Sequence, residues 1–252
     1  MRYKRHTSTS FFLALGLFAF SSLAGAQLSG SHSLEGVKRM KQLPNYCGPA
    51  CLTSVLQYYG SDLTQEEIGK DTYDPVSGAT NGADMLFYAR LKGFAAYSWN
   101  SSIADVKSKI ASGVPVIALQ QNSRIDTSGH YRVLTGYDDQ ASRFTVVDPY
   151  YDDITQLTYS ECDRLWKSKG YWALLIVPTE KDSFAQELDA KNPVVHMDLA
   201  YAKYRRQDYS DALQEAKTAL KLQPGNSFAL SMLGKIQQAL GAGAQKCQDS
   251  PN

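Results

Sequence analysis

The chain is short of the residues that build metal centres and nucleic-acid interfaces. It carries four histidines and four cysteines in 252 residues. Cys47 and Cys51 share one predicted helix, but no paired Cys or His motif elsewhere completes a four-ligand set, so neither a metal nor a cofactor is expected. No Lys/Arg cluster is interleaved with aromatics, which argues against a nucleic-acid partner. Beyond the N-terminal stretch there is no apolar run long enough to cross a bilayer, so no membrane span is expected in the mature chain.

What is present begins with a targeting signal over residues 1–26. Arg2, Lys4 and Arg5 give a basic start, Phe11 to Phe20 a short apolar core, and Ala24-Gly25-Ala26 a small-residue cleavage site. No cysteine follows that site to carry a lipid. The expectation is cleavage after Ala26 and a periplasmic or secreted protein beginning at Gln27. Removing this segment takes away three positive charges and no acid, so the formal balance moves from +1 to −2. The rest suits one medium domain and a small one.

The stretch that organises the chain is Gln42-Leu43-Pro44-Asn45-Tyr46-Cys47-Gly48-Pro49-Ala50-Cys51, running on to Tyr59-Gly60. Ala50, Cys51, Val55, Leu56 and Tyr59 fall at three- and four-residue spacings, which predicts a helix buried on one face and stopped by Gly60. Cys47 then sits in the first turn, where unpaired backbone N–H groups and the macrodipole favour a thiolate. Attack on an amide also needs donors for the oxyanion, and the Cys47 N–H and the Gln42 side-chain amide are candidates. Cys51 lies one turn further in, where burial raises a thiol pKa, and reads as core.

This stretch resembles the double-glycine leader peptidases of bacteriocin export systems, a branch of the papain-like cysteine peptidases, and their free-standing relatives. The resemblance rests on a Gln before Cys-Gly-x-Ala, a hydrophobic helix ending at Tyr58-Tyr59-Gly60, then Gly129-His130-Tyr131 before a strand, and Asp148-Pro149 after the next strand. It departs from the leader peptidases in having Tyr46, where they carry an acidic residue before the nucleophile. It implies a triad in which Cys47 is the nucleophile, His130 the base and Asp148 the group that orients the imidazole, with Gln42 in the oxyanion hole. His32 and His196, the other histidines after residue 26, lie in the lead-in and the tail.

Period and composition agree with a papain-like α+β layout over 27–178. Helices are predicted from Thr64 (a capping box with Glu67), after Asn81, after Ser102 and over 159–167. Strands are predicted over 94–99, 114–119, 131–137, 144–147 and 171–177. Residues 179–192, charged and polar, read as a linker with one helical turn. From 193 to 241 the chain matches itself at an offset of 34 residues, pairing His196 with Leu230 and Leu199 with Leu233, with Asp208 to Ala212, Ala216, Ala219 and Pro224 in register. This resembles about one and a half tetratricopeptide repeats, with 242–252 as a tail. A face including Leu230, Leu233 and Ile236 is left over, and docking of a partner protein is expected there, with only a minor contact to the peptidase domain.

The expected activity is hydrolysis of a peptide or protein substrate through a thioester. Acyl transfer or non-peptide amide hydrolysis on the same triad stays open, as does a non-catalytic peptide-binding module. With Cys47 held as thiolate, Cys51, Cys162 and Cys247 allow at most one intramolecular bridge, and Cys162 with Cys247 is the favoured pair.

Overall fold

The computed structural model describes residues 30–153 and 155–248, with side chains as far as residue 242. The predicted signal segment and the side chain of Cys247 lie outside the described residues. In chain order the elements are β1 (Ser31–Ser33), α1 (Cys47–Tyr58), α2 (Gln65–Thr72), β2 (Tyr73–Asp74), β3 (Ala79–Thr80), α3 (Gly82–Leu91), β4 (Phe94–Asn100), α4 (Ile103–Ala111), β5 (Val116–Gln121), β6 (Gly129–Asp138), β7 (Arg143–Val147), β8 (Gln156–Thr158), α5 (Tyr159–Lys167), β9 (Trp172–Pro178), a 3-10 turn (Thr179–Lys181), α6 (Ala185–Leu188), α7 (Pro193–Arg205), α8 (Tyr209–Leu222) and α9 (Ser227–Gln248).

A cysteine-bearing helical half thus precedes an antiparallel sheet in the order β4-β9-β5-β6-β7-β8, with β1 added beside β6. The ten-residue β6 is its axis. Its first part pairs with β5 (Gln120 opposite His130), while its far part pairs with β1 (His32 opposite Tyr137) and β7. The helix starts predicted at Thr64, Asn81 and Ser102 have their caps. Thr64 Oγ1 accepts from Glu67 N–H at 3.3 Å while the Glu67 carboxylate accepts from Thr64 N–H at 2.9 Å. Asn81 accepts from Ala83 N–H at 2.9 Å and Ser102 from Asp105 N–H at 3.1 Å. β1, the β2–β3 hairpin and β8 were not expected. They are two or three residues long and held by backbone pairing, and such pairing leaves no apolar alternation in a sequence.

The C-terminal helices depart most from expectation. Residues 179–192, read as a linker, contain the 3-10 turn and α6, and Leu188 is buried in the main core. Val195 and Leu199 of α7 belong to the same core, so the contact with the catalytic half is broad where a minor one was expected. Asn192 caps α7 by accepting from Val194 N–H at 3.0 Å and ties it to β4 through Nδ2 donating to the Ser98 carbonyl at 2.7 Å. Pro193 stands at N1, where its missing N–H is harmless. The Trp172 indole of β9 donates to Asp198 of α7 at 2.9 Å. A second cluster of Ala200, Ala212, Ala216, Met232 and Ile236 joins α7, α8 and α9. Ile236, expected on the leftover face, is fully buried there, whereas Leu230 stays half exposed. α9 runs past Gly241 to Gln248, its extension rich in helix-favouring Ala, Gln and Lys.

Candidate active site

The helix that carries Cys47 begins without a side-chain cap and has no acid in its first turn. Its leading amides are therefore open to a ligand or a thiolate. Pro49 costs nothing at this point, because the first turn has no intrahelical acceptor for its missing N–H. The approach is a tight turn in which Tyr46 N–H donates to the Leu43 carbonyl at 3.0 Å, with Pro44 followed by Asn45 at φ +61°. Pro then a left-handed Asn is the pattern of a type II turn. Gly48 is required by contact, since a Cβ there would lie 2.8 Å from the Thr80 side chain. Tyr46 stacks beside Tyr73 and covers Gly69 of α2, where a Cβ would come within 2.3 Å of its ring. In this chain the residue before Cys47 therefore serves packing.

Three distant segments bring the predicted residues together. The His130 side chain reaches the Cys47 thiol, and its Nε2 lies 3.0 Å from Asp148 Oδ1. Burial raises the Cys47 thiol, but the hydrogen bond and charge of His130, with the amides of Tyr131 and Gly48, outweigh it and leave the thiol below its ordinary value. Burial lowers His130, but its bonds to Asp148 and Cys47 and the Asp148 charge outweigh that and hold it above the usual imidazole value, with Arg132 opposing. Both shifts favour a thiolate facing an imidazolium. Cys51 is fully buried, donates to the Tyr131 carbonyl at 3.3 Å, and is pushed well above the thiol range by burial. Cys162 is likewise free and buried, accepts from Gln120 Nε2 at 3.1 Å, and is pushed up to about 12. α5 turns Cys162 toward Gln120 of β5, and the Cys247 side of the favoured Cys162–Cys247 bridge lies outside the described residues.

Asp148 is the most heavily supported group in the site. Besides His130, its carboxylate accepts from Arg132 Nε at 2.7 Å and from the backbone amides of Tyr150 and Tyr151 at 2.8 and 2.9 Å. Burial works to raise it, yet His130, Arg132 and the Tyr151 amide hold it down at about 2. Arg132, two residues after His130 and so on the same strand face, is 1% exposed. It also donates to the Gln121 and Asn122 carbonyls at 3.2 and 2.8 Å. Arg39 donates to the Asp148 and Pro149 carbonyls at 2.5 and 3.2 Å, and Gln42 N–H to the Pro149 carbonyl at 2.9 Å. Gln65 brackets Gln42 from the other side, donating to the Lys41 carbonyl at 2.8 Å and accepting from Leu43 N–H at 2.9 Å.

A cleft of about 480 Å³ opens over Cys47 and His130. Gln42, Asn45, Ser77 to Ala79, Asn122, Asp126, Ser128 and Tyr150 also line it. Asp126 is held at about 2 by the Asn122 amide and the Ser128 N–H. The Gln42 Oε1 atom is shut off from solvent with no partner among the described residues. Tyr151 meets the His130 ring edge-on, and Trp99 lies in the core with its indole donating to Asp105. Among the described residues no group of three or more His, Cys, Asp or Glu is placed to hold a metal, and no helix is long and apolar enough to cross a membrane.

Solved structures with similarity to the chain include a C39-like peptidase from Bacillus anthracis, 18% identical, covering 58% of this chain and 97% of that chain at a TM-score of 0.49. The peptidase domain of Streptococcus ComA, a bifunctional ABC transporter of a quorum-sensing pathway, is 18% identical, covering 57% and 99% at a TM-score of 0.45. A double glycine motif protease from an AMS/PCAT transporter, in complex with a leader peptide, is 23% identical, covering 59% and 99% at a TM-score of 0.45. No curated protein matches the chain. The profile of the Peptidase C39 like family matches residues 34–175, which take in Cys47, His130 and Asp148 and stop before α7. The chain belongs to the C39-like peptidase family.

Proposed function

We propose that the protein is an exported cysteine peptidase that hydrolyses peptide bonds through Cys47, His130 and Asp148. The observation that carries this reading is the His130 ring bridging the Cys47 thiol and the buried Asp148 carboxylate. The Cys47 thiolate attacks the scissile carbonyl carbon, and the carbonyl oxygen becomes an oxyanion facing the Cys47 N–H and the Gln42 amide. His130 gives its Nδ1 proton to the leaving amine as the C–N bond breaks, leaving a thioester on Cys47. Water, deprotonated by His130, then attacks the thioester, releasing the acid and restoring the thiolate–imidazolium pair. Asp148 keeps Nε2–H engaged throughout, so that Nδ1 is the nitrogen facing sulfur.

Export rests on the basic, apolar and small-residue pattern of residues 1–26. The 34-residue offset supports reading α7 to α9 as one and a half tetratricopeptide repeats that dock a protein partner. The test of activity is iodoacetamide labelling and turnover of a quenched-fluorescent peptide library. Cys47 is labelled first, His130→Ala slows that labelling, and Cys47→Ala abolishes cleavage. Preferential labelling of Cys51, or cleavage that survives Cys47→Ala, overturns the proposal.

A further inference from the structure

Part of the cleft lining, Ser77 to Ala79, comes from the turn of the β2–β3 hairpin, and that turn is organised by a single carboxylate. Asp74 accepts from Val76 N–H at 3.0 Å and from the Ser77 hydroxyl at 3.1 Å, and its own carbonyl accepts from Gly78 N–H at 2.9 Å. Ser77, Gly78 and Ala79, the residues so arranged, line the same cleft as Cys47. On its inner side the hairpin is pinned by Tyr73 against Tyr46 and by the Tyr131 hydroxyl donating to the Thr80 carbonyl at 3.3 Å.

Its outer side is held from beyond the family match. Arg205, in the last turn of α7, places one guanidinium nitrogen 3.4 Å from Asp74 Oδ2 and the other 2.6 Å from Asp84 Oδ2 on α3. Asp84 is 4% exposed and also pairs with Arg206 at 2.8 Å. Arg206 donates further to the Asp71 carbonyl at 3.3 Å, one turn before the hairpin. Two different nitrogens of the planar guanidinium each meet a different carboxylate, a fork that the single nitrogen of a lysine does not reproduce. The first helix of the tail is seated in the main core through Val195 and Leu199, so Arg205 projects from a fixed base.

We infer that Arg205 is a positioning residue for the substrate cleft, fixing the Ser77–Ala79 wall through Asp74, so that the C-terminal helices are part of the peptide-binding apparatus. The inference rests on the proposed reading of the cleft as the peptide site, but its first test does not. Amide exchange at Val76 to Ala79 reports the wall directly, whether or not a peptide is cleaved.

Arg205→Gln leaves Asp84 paired with Arg206, so the fold survives. Exchange at those amides is expected to rise about threefold, the scale of one partly exposed ion pair. Asp74→Asn keeps an acceptor for Val76 N–H but removes the charge, and is expected to raise exchange similarly. The double variant should add little, since both changes break one link. Arg205→Lys keeps a charge beside Asp84 but replaces the two-nitrogen fork by one nitrogen on a shorter stem, so it should retain the melting temperature and still show faster exchange. On a cleaved peptide the Arg205→Gln KM rises about threefold with kcat nearly constant, and the rate of Cys47 alkylation by iodoacetamide stays at the wild-type value. Unchanged exchange at Val76 to Ala79 in Arg205→Gln, or full restoration of wild-type exchange by Arg205→Lys, overturns the inference. A wild-type protein that cleaves no peptide counts against the proposed function and leaves the exchange result standing.

Discussion

Replacing Arg132 by Leu is the most informative perturbation of the site, because this guanidinium touches the triad without joining the chemistry. It is 1% exposed and donates to Asp148, Gln121 and Asn122 at 2.7, 3.2 and 2.8 Å. Removing one partner of a buried ion pair costs about 3–5 kcal/mol, a large part of the ~5–15 kcal/mol that holds a typical domain together. Two effects should separate. Because Asp148 is held down at about 2, its stabilisation is complete above the ordinary carboxylate value and lost only as the pH falls toward 2. Without Arg132 that acid limit moves up, so acid unfolding begins at a higher pH. Meanwhile the Arg132 charge now lowers His130, so its loss raises His130, and the alkaline limb of Cys47 alkylation moves to higher pH. Urea unfolding followed by tryptophan fluorescence reads the first effect, and the pH profile of the iodoacetamide rate reads the second. Arg132→Lys, which keeps the charge but not the fork, should lose stability with little movement of the limb. An Arg132→Leu protein within about 1 kcal/mol of wild type, a loss fit only for an exposed pair, or one whose alkaline limb moves down, refutes the reasoning.

Asp148→Asn should slow peptide turnover strongly, since it removes the charge that favours the imidazolium, while urea unfolding still shows a cooperative transition. Gly48→Val should unfold the active-site end, because even its Cβ meets Thr80 at 2.8 Å, and loss of Cys47 labelling together with a lowered melting temperature would check it. Deleting residues 193–252 uncovers Val195 and Leu199 contacts in the main core, each worth about 1.5–3 kcal/mol, so aggregation and loss of Cys47 labelling are expected; a soluble, fully labelled truncate would contradict the packing. His196 lies 2.8 Å from Glu215 and 3.1 Å from the Asp189 carbonyl, and its pKa is raised: burial opposes this, and the Glu215 bond and charge outweigh it. That stabilisation is full below the unfolded imidazole value, about 6.5, and fades as the pH rises through the higher folded value, so His196→Gln should lose stability at pH 6 and little at pH 9 by thermal melting.

The parts of the site that were legible in the sequence are those whose signal is local. Cys47 announces itself by helix spacing and a Gly-Pro start, and His130 and Asp148 by short motifs beside strands. Arg132 gave no signal because an alternate residue in a strand reads as solvent-facing unless its partners are known, and these lie on β5 and after β7. Gln65 was hidden for the same reason, since its partners Lys41 and Leu43 lie beside Gln42, more than twenty residues upstream. The repeat spacing of the last helices shows that each has an apolar face, but not what covers it. Val195 and Leu199 turned to the sheet, while Ile236 closed the small cluster.

The lowered pKa of the Cys47 thiol is a product of tertiary structure, and this gives the chain a built-in order of events. Its supports are His130, the Tyr131 amide and, behind them, Asp148, all supplied by the half of the domain that is made last. A chain still being synthesised has only an ordinary, mostly protonated cysteine. Reactivity is therefore switched on by completed folding, which spares the nascent chain and its handlers from premature attack. By the same logic, the fraction of Cys47 that a mild alkylating reagent captures at neutral pH counts finished molecules.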